Sequence, residues 1–173
     1  MDRITRLRRV GLICCHFARN CSYYRAGWHD RKKSKATDLF WITVQGNFID
    51  TAIIEWTKLF GSHNDDHHWK KIVANPDLFR TNMLQHCNLN SEEFDTYHKA
   101  IKSYRDQFVA HLDSEMIMQI PDLTNAKNTT EYYYEYIYSE LPNVSRIMLP
   151  EDLNDYFNTC FSVSENYFDQ LKA

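Results

Sequence analysis

Glycine and proline are scarce in this chain, four of each in 173 residues. Period-two runs of β-branched residues are scarce as well, so a sheet would lack both its turns and its strands. No apolar run approaches the roughly 18 to 20 residues needed to span a bilayer, and the basic opening "MDRITRLRRVGLICCHFARN" reaches His16 and Arg19 too early for a signal peptide. The expectation is a cytoplasmic protein with no membrane contact. Five cysteines (Cys14, Cys15, Cys21, Cys87, Cys160) are an odd number with no C-x-x-C spacing, which points to reduced thiols rather than a disulfide framework. There is no P-loop, no glycine-rich dinucleotide turn and no serine-nucleophile elbow, so nucleotide hydrolysis and hydride transfer are not expected and no cofactor is implied.

What the chain does have is apolar content, 43%, with 14% aromatic residues, enough for one sizeable core. Its apolar residues recur at helical spacing. Leu7, Val10, Cys14, Phe17, Cys21 and Tyr24 predict a first helix from about Ile4 to Tyr24, and Ile49, Ile53, Trp56 and Phe60 a second from Thr37 or Asp38 to a stop at Gly61. Short helices are expected through Val73 and from Pro76. Asn90 or Ser91 with Glu92 and Glu93 opens a long helix bearing Phe94, Tyr97, Ile101, Tyr104 and Phe108. Residues 121–130 read as a loop, "EYYYEYIYSEL" as a short tyrosine-rich helix with an edge strand as the alternative, and Pro150 as the first residue of a last helix whose Leu153, Phe157, Cys160, Ser164, Tyr167 and Leu171 face one way. The prediction is a single all-α domain over residues 1–173, an up-and-down helical bundle of four long helices with additional short helices.

Charge is lopsided although its total is only −3. Residues 1–35 carry ten Lys or Arg against Asp2 and Asp30, leaving −11 for the remainder. A basic segment of this kind is a candidate phosphate footprint, with Arg19, Arg25, Arg31, Lys32 and Lys33 as the candidate RNA-binding residues; the alternative is a solvated face pairing with the acidic C-terminal half.

One ten-residue stretch, "YRDQFVAHLD" at residues 104–113, places an arginine, an acid and a histidine close together. Arginine-to-histidine spacing alone says little: about 1.4 such matches are expected by chance, and "RVGLICCH", "RTNMLQH" and "RDQFVAH" all occur. Context favours the third, which lies late in a long helix with an acid directly after the arginine. On a straight α-helix Arg105 and His111 would lie about 60° to either side of the core-facing Phe108 and about 9 Å apart along the axis, bordering a groove that a second subunit could complete. Histidine can move a proton near neutral pH and arginine binds phosphate oxygens in a planar fork, so the pair suits phosphodiester chemistry with the ribose 2′-hydroxyl as nucleophile.

"SYRDQFVAHLD" resembles the motif region of the HEPN superfamily, helical bundles marked by an arginine, a polar residue after it and a histidine four to six positions on. It looks most like the abortive-infection U branch, over residues 91–113. The resemblance implies Arg105 and His111 as the catalytic pair with Asp106 as the polar neighbour. It further implies a metal-independent endoribonuclease in a toxin or phage-defence setting, with a cleft between two subunits and, in such a setting, an antitoxin partner. Asp106 departs from that pattern by facing nearly opposite Phe108, where an i, i−4 pair with Lys102 accounts for it without catalysis. The other reading of the whole chain is a non-catalytic helical module that binds RNA or protein.

Two further clusters read as structural. "HNDDHH" offers His63, His67 and His68, with His63 and His67 at the spacing of a helical metal pair, but the break after Gly61 argues for a loop and no metal site is assigned. Tyr132, Tyr133, Tyr134, Tyr136 and Tyr138 could stack on bases, yet at helical spacing they read as core.

Overall fold

Helix α1, Arg3–Trp28, is the element around which the others pack in a computed structural model that describes residues 1–28, 39–109 and 120–170. The predicted stripe Leu7, Val10, Cys14, Phe17 and Cys21 is buried, and so are Gly11, Cys15 and Ala18 beside it. The burial is wide because α1 meets three long partners: α2 (Leu39–Phe60), α6 (Thr124–Glu140) and α7 (Leu153–Gln170). Gly11 is one place where the approach is close; a Cβ there would lie 3.1 Å from Leu149 Cδ1.

The remaining helices are shorter: α3 (Trp69–Ile72), α4 (Pro76–His86) and α5 (Ser91–Tyr104), which runs into a π-helical turn, Arg105–Val109. Among the described residues there is no strand, and the fold class is all-α, as expected.

Local signals explain most boundaries. Gly61 ends α2 with its N–H on Thr57 O at 2.8 Å, in a position where a Cβ would meet that same oxygen. Asn75 caps α4 through Leu78 N–H with Pro76 in the first turn. Asn90 and Glu93 form a reciprocal capping box at the head of α5, Glu93 N–H on Asn90 Oδ1 at 2.9 Å and Asn90 N–H on Glu93 Oε2 at 2.8 Å. The expected caps Thr37 and Asp38 lie outside the described residues, as does Leu171.

Three expectations are corrected. The loop expected over residues 121–130 is mostly helix: α6 begins at Thr124, where Asp122 Oδ1 accepts the Thr124 N–H at 2.8 Å. Its polar first turns are buried through small residues, Ala126, Thr129 and Thr130, whose threonine hydroxyls return to backbone carbonyls one turn back. Helix α7 begins at Leu153 rather than Pro150, with Asp152 Oδ1 accepting the Asp155 N–H. On its last turns Phe168 is buried while Tyr167 is exposed, so the stripe shifts by one position against Trp41 of α2, 5.9 Å ring to ring.

The core centres on Trp56, fully buried, with its indole N–H donating to Thr129 Oγ1 at 3.1 Å and its rings against Phe60, Tyr97 and His98. Tyr133 and Tyr134 are also fully buried, which makes these two core residues rather than a stacking platform.

Candidate functional site

The capped helix α5 delivers its last residues against α2. Tyr104 is buried, its hydroxyl donating to Asp50 Oδ1 of α2 at 3.0 Å, and its ring lies 5.6 Å from Phe108. Burial raises the Asp50 carboxyl above its ordinary pKa, opposed by the tyrosine hydrogen bond. Immediately beyond Tyr104 the α-helical ladder gives way to the π-turn, so the 100° per residue used to place Arg105 relative to Phe108 does not hold over Arg105–Val109. Isolated π-turns of this type concentrate at functional sites.

Arg105 and Asp106, the first two residues of the turn, form an ion pair. Arg105 Nε donates to Asp106 Oδ1 at 2.8 Å and Nη2 to the same oxygen, while Asp106 Oδ2 faces Lys102 Nζ at 3.8 Å. The i, i+4 pair with Lys102 therefore forms as expected. Both members of the Arg105 pair are partly exposed, 26% and 45%. The acid fixes one edge of the guanidinium, and among the described residues no acceptor meets Nη1, the part of a fork that can receive phosphate oxygens.

His111 lies outside the described residues, as do Arg31, Lys32 and Lys33. Of the α1 arginines, Arg25 is drawn into the fold: its guanidinium donates to Thr124 Oγ1 at 2.9 Å, approaches Asp122 at 3.9 Å and lies 5.8 Å from the centre of the Phe157 ring. Arg19, half-buried on the same helix, lies near Cys15, Tyr23 and Tyr156.

The histidine-rich segment performs a different task from the one its spacing suggests. His63 and His67 are not on a helix; His67 Nδ1 lies 3.1 Å from Asp65 Oδ1 and the His63 ring packs on His68 at 4.7 Å. His68 is buried, accepts the Lys70 N–H on Nδ1 at 3.2 Å and caps α3. Together with His98, whose Nε2 lies 2.8 Å from Phe60 O, it serves the carbonyl end of α2. Burial first, and the neighbouring His63 second, depress the His68 pKa to about 4. Among the described residues no group of three metal-binding side chains converges. The pocket beside these residues, about 150 Å³, also contains Arg80 and Asp95, paired at 2.8 Å. Sequence reasoning missed His98 and Asp95 here because their partners lie in other helices and loops.

The five cysteines are free and buried. Burial raises the Cys15 and Cys87 thiols to about 11 and Cys21 to about 12, which makes these three inert. An apolar groove of about 370 Å³ runs between the start of α2 and the end of α7, lined by Trp41, Phe48, Val163 and Phe168 among others. No helix among the described residues is long and apolar enough to cross a membrane. No family model, curated protein sequence or solved structure matches the chain.

Proposed function

We propose that this chain is a metal-independent endoribonuclease of the HEPN type, acting as a cytoplasmic homodimer in a toxin or phage-defence setting with an antitoxin partner. The observation that carries the reading is the Arg105 turn: a partly exposed guanidinium, oriented by the adjacent carboxylate of Asp106, at the start of a π-turn. In the reaction His111 takes the proton from a ribose 2′-hydroxyl, O2′ attacks the adjacent phosphorus, and the P–O5′ bond breaks as protonated His111 returns that proton to the departing O5′. The products are a 2′,3′-cyclic phosphate and a 5′-hydroxyl. Arg105 holds the phosphate oxygens as charge develops on them, and Asp106 positions Arg105. The nucleophile is internal to RNA, so this chemistry needs no cofactor. A strongly exposed apolar face on the first turns of α2, Leu39, Phe40 and Ile42, supports pairing of two copies.

The test is RNA cleavage by the purified chain with and without chelator. Cleavage is expected in both conditions, with cyclic phosphate ends, and Arg105→Ala or His111→Ala should lower the rate at least 100-fold, on the order of what one general acid–base group contributes. Unchanged activity in both variants overturns the assignment. A second reading is favoured by the pairing of Arg105 with Asp106 within the turn: a helical RNA- or protein-binding module in which that pair is purely structural. It predicts no cleavage by the unsubstituted chain under any condition.

A further inference from the structure

A second cationic site lies at the opposite end of α1 from the Arg105 turn. The turn's neighbour Tyr104 lies near Tyr24, whereas the second site is built around Arg6, eighteen residues earlier and so about 27 Å away along the helix axis. Here the first two turns of α1 meet α3 around a pocket of about 200 Å³, lined by Arg3, Arg6, Leu7, Lys71 and Ile72 together with Met1. Three of these residues are cations and none is an acid.

The three cations are not equivalent. Arg3 is held in place by Glu140 Oε2 at 3.0 Å and Ile72 O at 3.1 Å, and Lys71 Nζ is steadied by Asn64 O at 2.9 Å with Asp66 at 3.9 Å. Arg6 enters no ion pair among the described residues, and its Nε is buried without an acceptor. Arg6 lines the pocket with a charge that no acid among the described residues offsets, and an anion in the pocket would offset it. The positive end of the 26-residue α1 adds to the same field, tempered by Asp2, whose carboxylate caps Thr5.

We propose that the pocket walled by Arg3, Arg6 and Lys71 binds a phosphate group. Arg6 supplies a guanidinium with no ion-pair partner among the described residues, Lys71 a point charge, and Arg3, fixed by Glu140, a positioned wall. Arg3 and Arg6 belong to the basic segment of residues 1–35, but neither is among its candidate RNA-binding residues, Arg19, Arg25, Arg31, Lys32 and Lys33. The assignment does not depend on catalysis at Arg105.

The experiment is calorimetric titration of the intact chain with inorganic phosphate against chloride at constant ionic strength. Saturable binding is expected, weakened about tenfold by Arg6→Gln and likewise by Lys71→Gln, each of which removes one charge-assisted contact. Repeated in an Arg105→Ala background, the losses caused by Arg6→Gln and Lys71→Gln should persist, which separates this site from the nuclease reading. Thermal melts without phosphate verify that both variants fold. Lack of saturable binding, or binding by the two pocket variants as tight as by the unsubstituted chain, overturns the site. Competition by a single-stranded RNA then identifies the source: displacement of phosphate assigns the pocket to RNA backbone phosphates, and retention assigns it to a small phosphate compound.

Discussion

At the scale of single residues, His68 carries the clearest consequence. It is 2% exposed and neutral in the fold, with its pKa depressed to about 4 against an ordinary 6.5. The unfolded chain therefore binds a proton between these values that the folded chain refuses. The stability associated with neutral His68 is complete above pH 6.5 and is lost as pH falls toward 4. At about 1.4 kcal/mol per pH unit the loss approaches ~3 kcal/mol. Denaturant titrations at pH 7, 5.5 and 4.5 should show this fall, and His68→Asn, which keeps an acceptor for the Lys70 N–H, should flatten it. An equal slope in the variant would place the acid sensitivity elsewhere. The residues around Arg105 divide in the same plain way. That Asp106 partners Arg105 and Lys102 was legible, since one is adjacent in sequence and the other one helical turn away. The hydrogen bond from Tyr104 to Asp50 was not, because it joins residues 54 apart that no periodicity connects.

Elements were legible where a stripe and a cap agreed. Helix α5 shows both, with the Asn90–Glu93 box at its head and Phe94, Ile101 and Tyr104 buried along it. Asn90→Ala removes one side of the box and should cost about 1 kcal/mol, lowering the melting temperature by roughly 2 to 4 °C in a chain of this size; Asn90→Ser should restore most of it. The helix that was misread, α6, begins with "TNAKNTT", polar residues that favour turns in isolation. Tertiary packing overrides that preference, because the small Ala126 and Thr129 let the helix lie against Trp56. The π-turn has no composition of its own, so nothing in "RDQFV" distinguishes it from a further turn of α-helix. That single departure changes the angle between Arg105 and Phe108 and leaves Arg105 beside Asp106 as the described part of the site.

For the molecule as a whole, Trp56 is the joint. It touches Phe60 on its own helix, Tyr97 and His98 on α5, and Thr129 on α6. Trp56→Ala opens a cavity at that joint and should destabilise the fold by about 3 to 5 kcal/mol, while Trp56→Phe, which loses the indole hydrogen bond but keeps most of the ring, should cost far less. Equilibrium unfolding in urea measures both. The long-range charge asymmetry is partly neutralised inside the fold, where Arg3 meets Glu140 and Arg25 meets Asp122. Exposed pairs of this kind contribute little stability, so their role is to orient side chains rather than to hold helices together.

The central position of α1 has a consequence for the order of folding. Two of the three long helices that cover its broad apolar face, α6 and α7, lie far from it along the chain, beyond α2, α3, α4 and α5. Local pairing with α2 can shelter only part of that face. Leu7, Val10 and Phe17 are fully covered only when the long-range docking of α6 and α7 is complete, so the closing of the core is a step of high sequence separation.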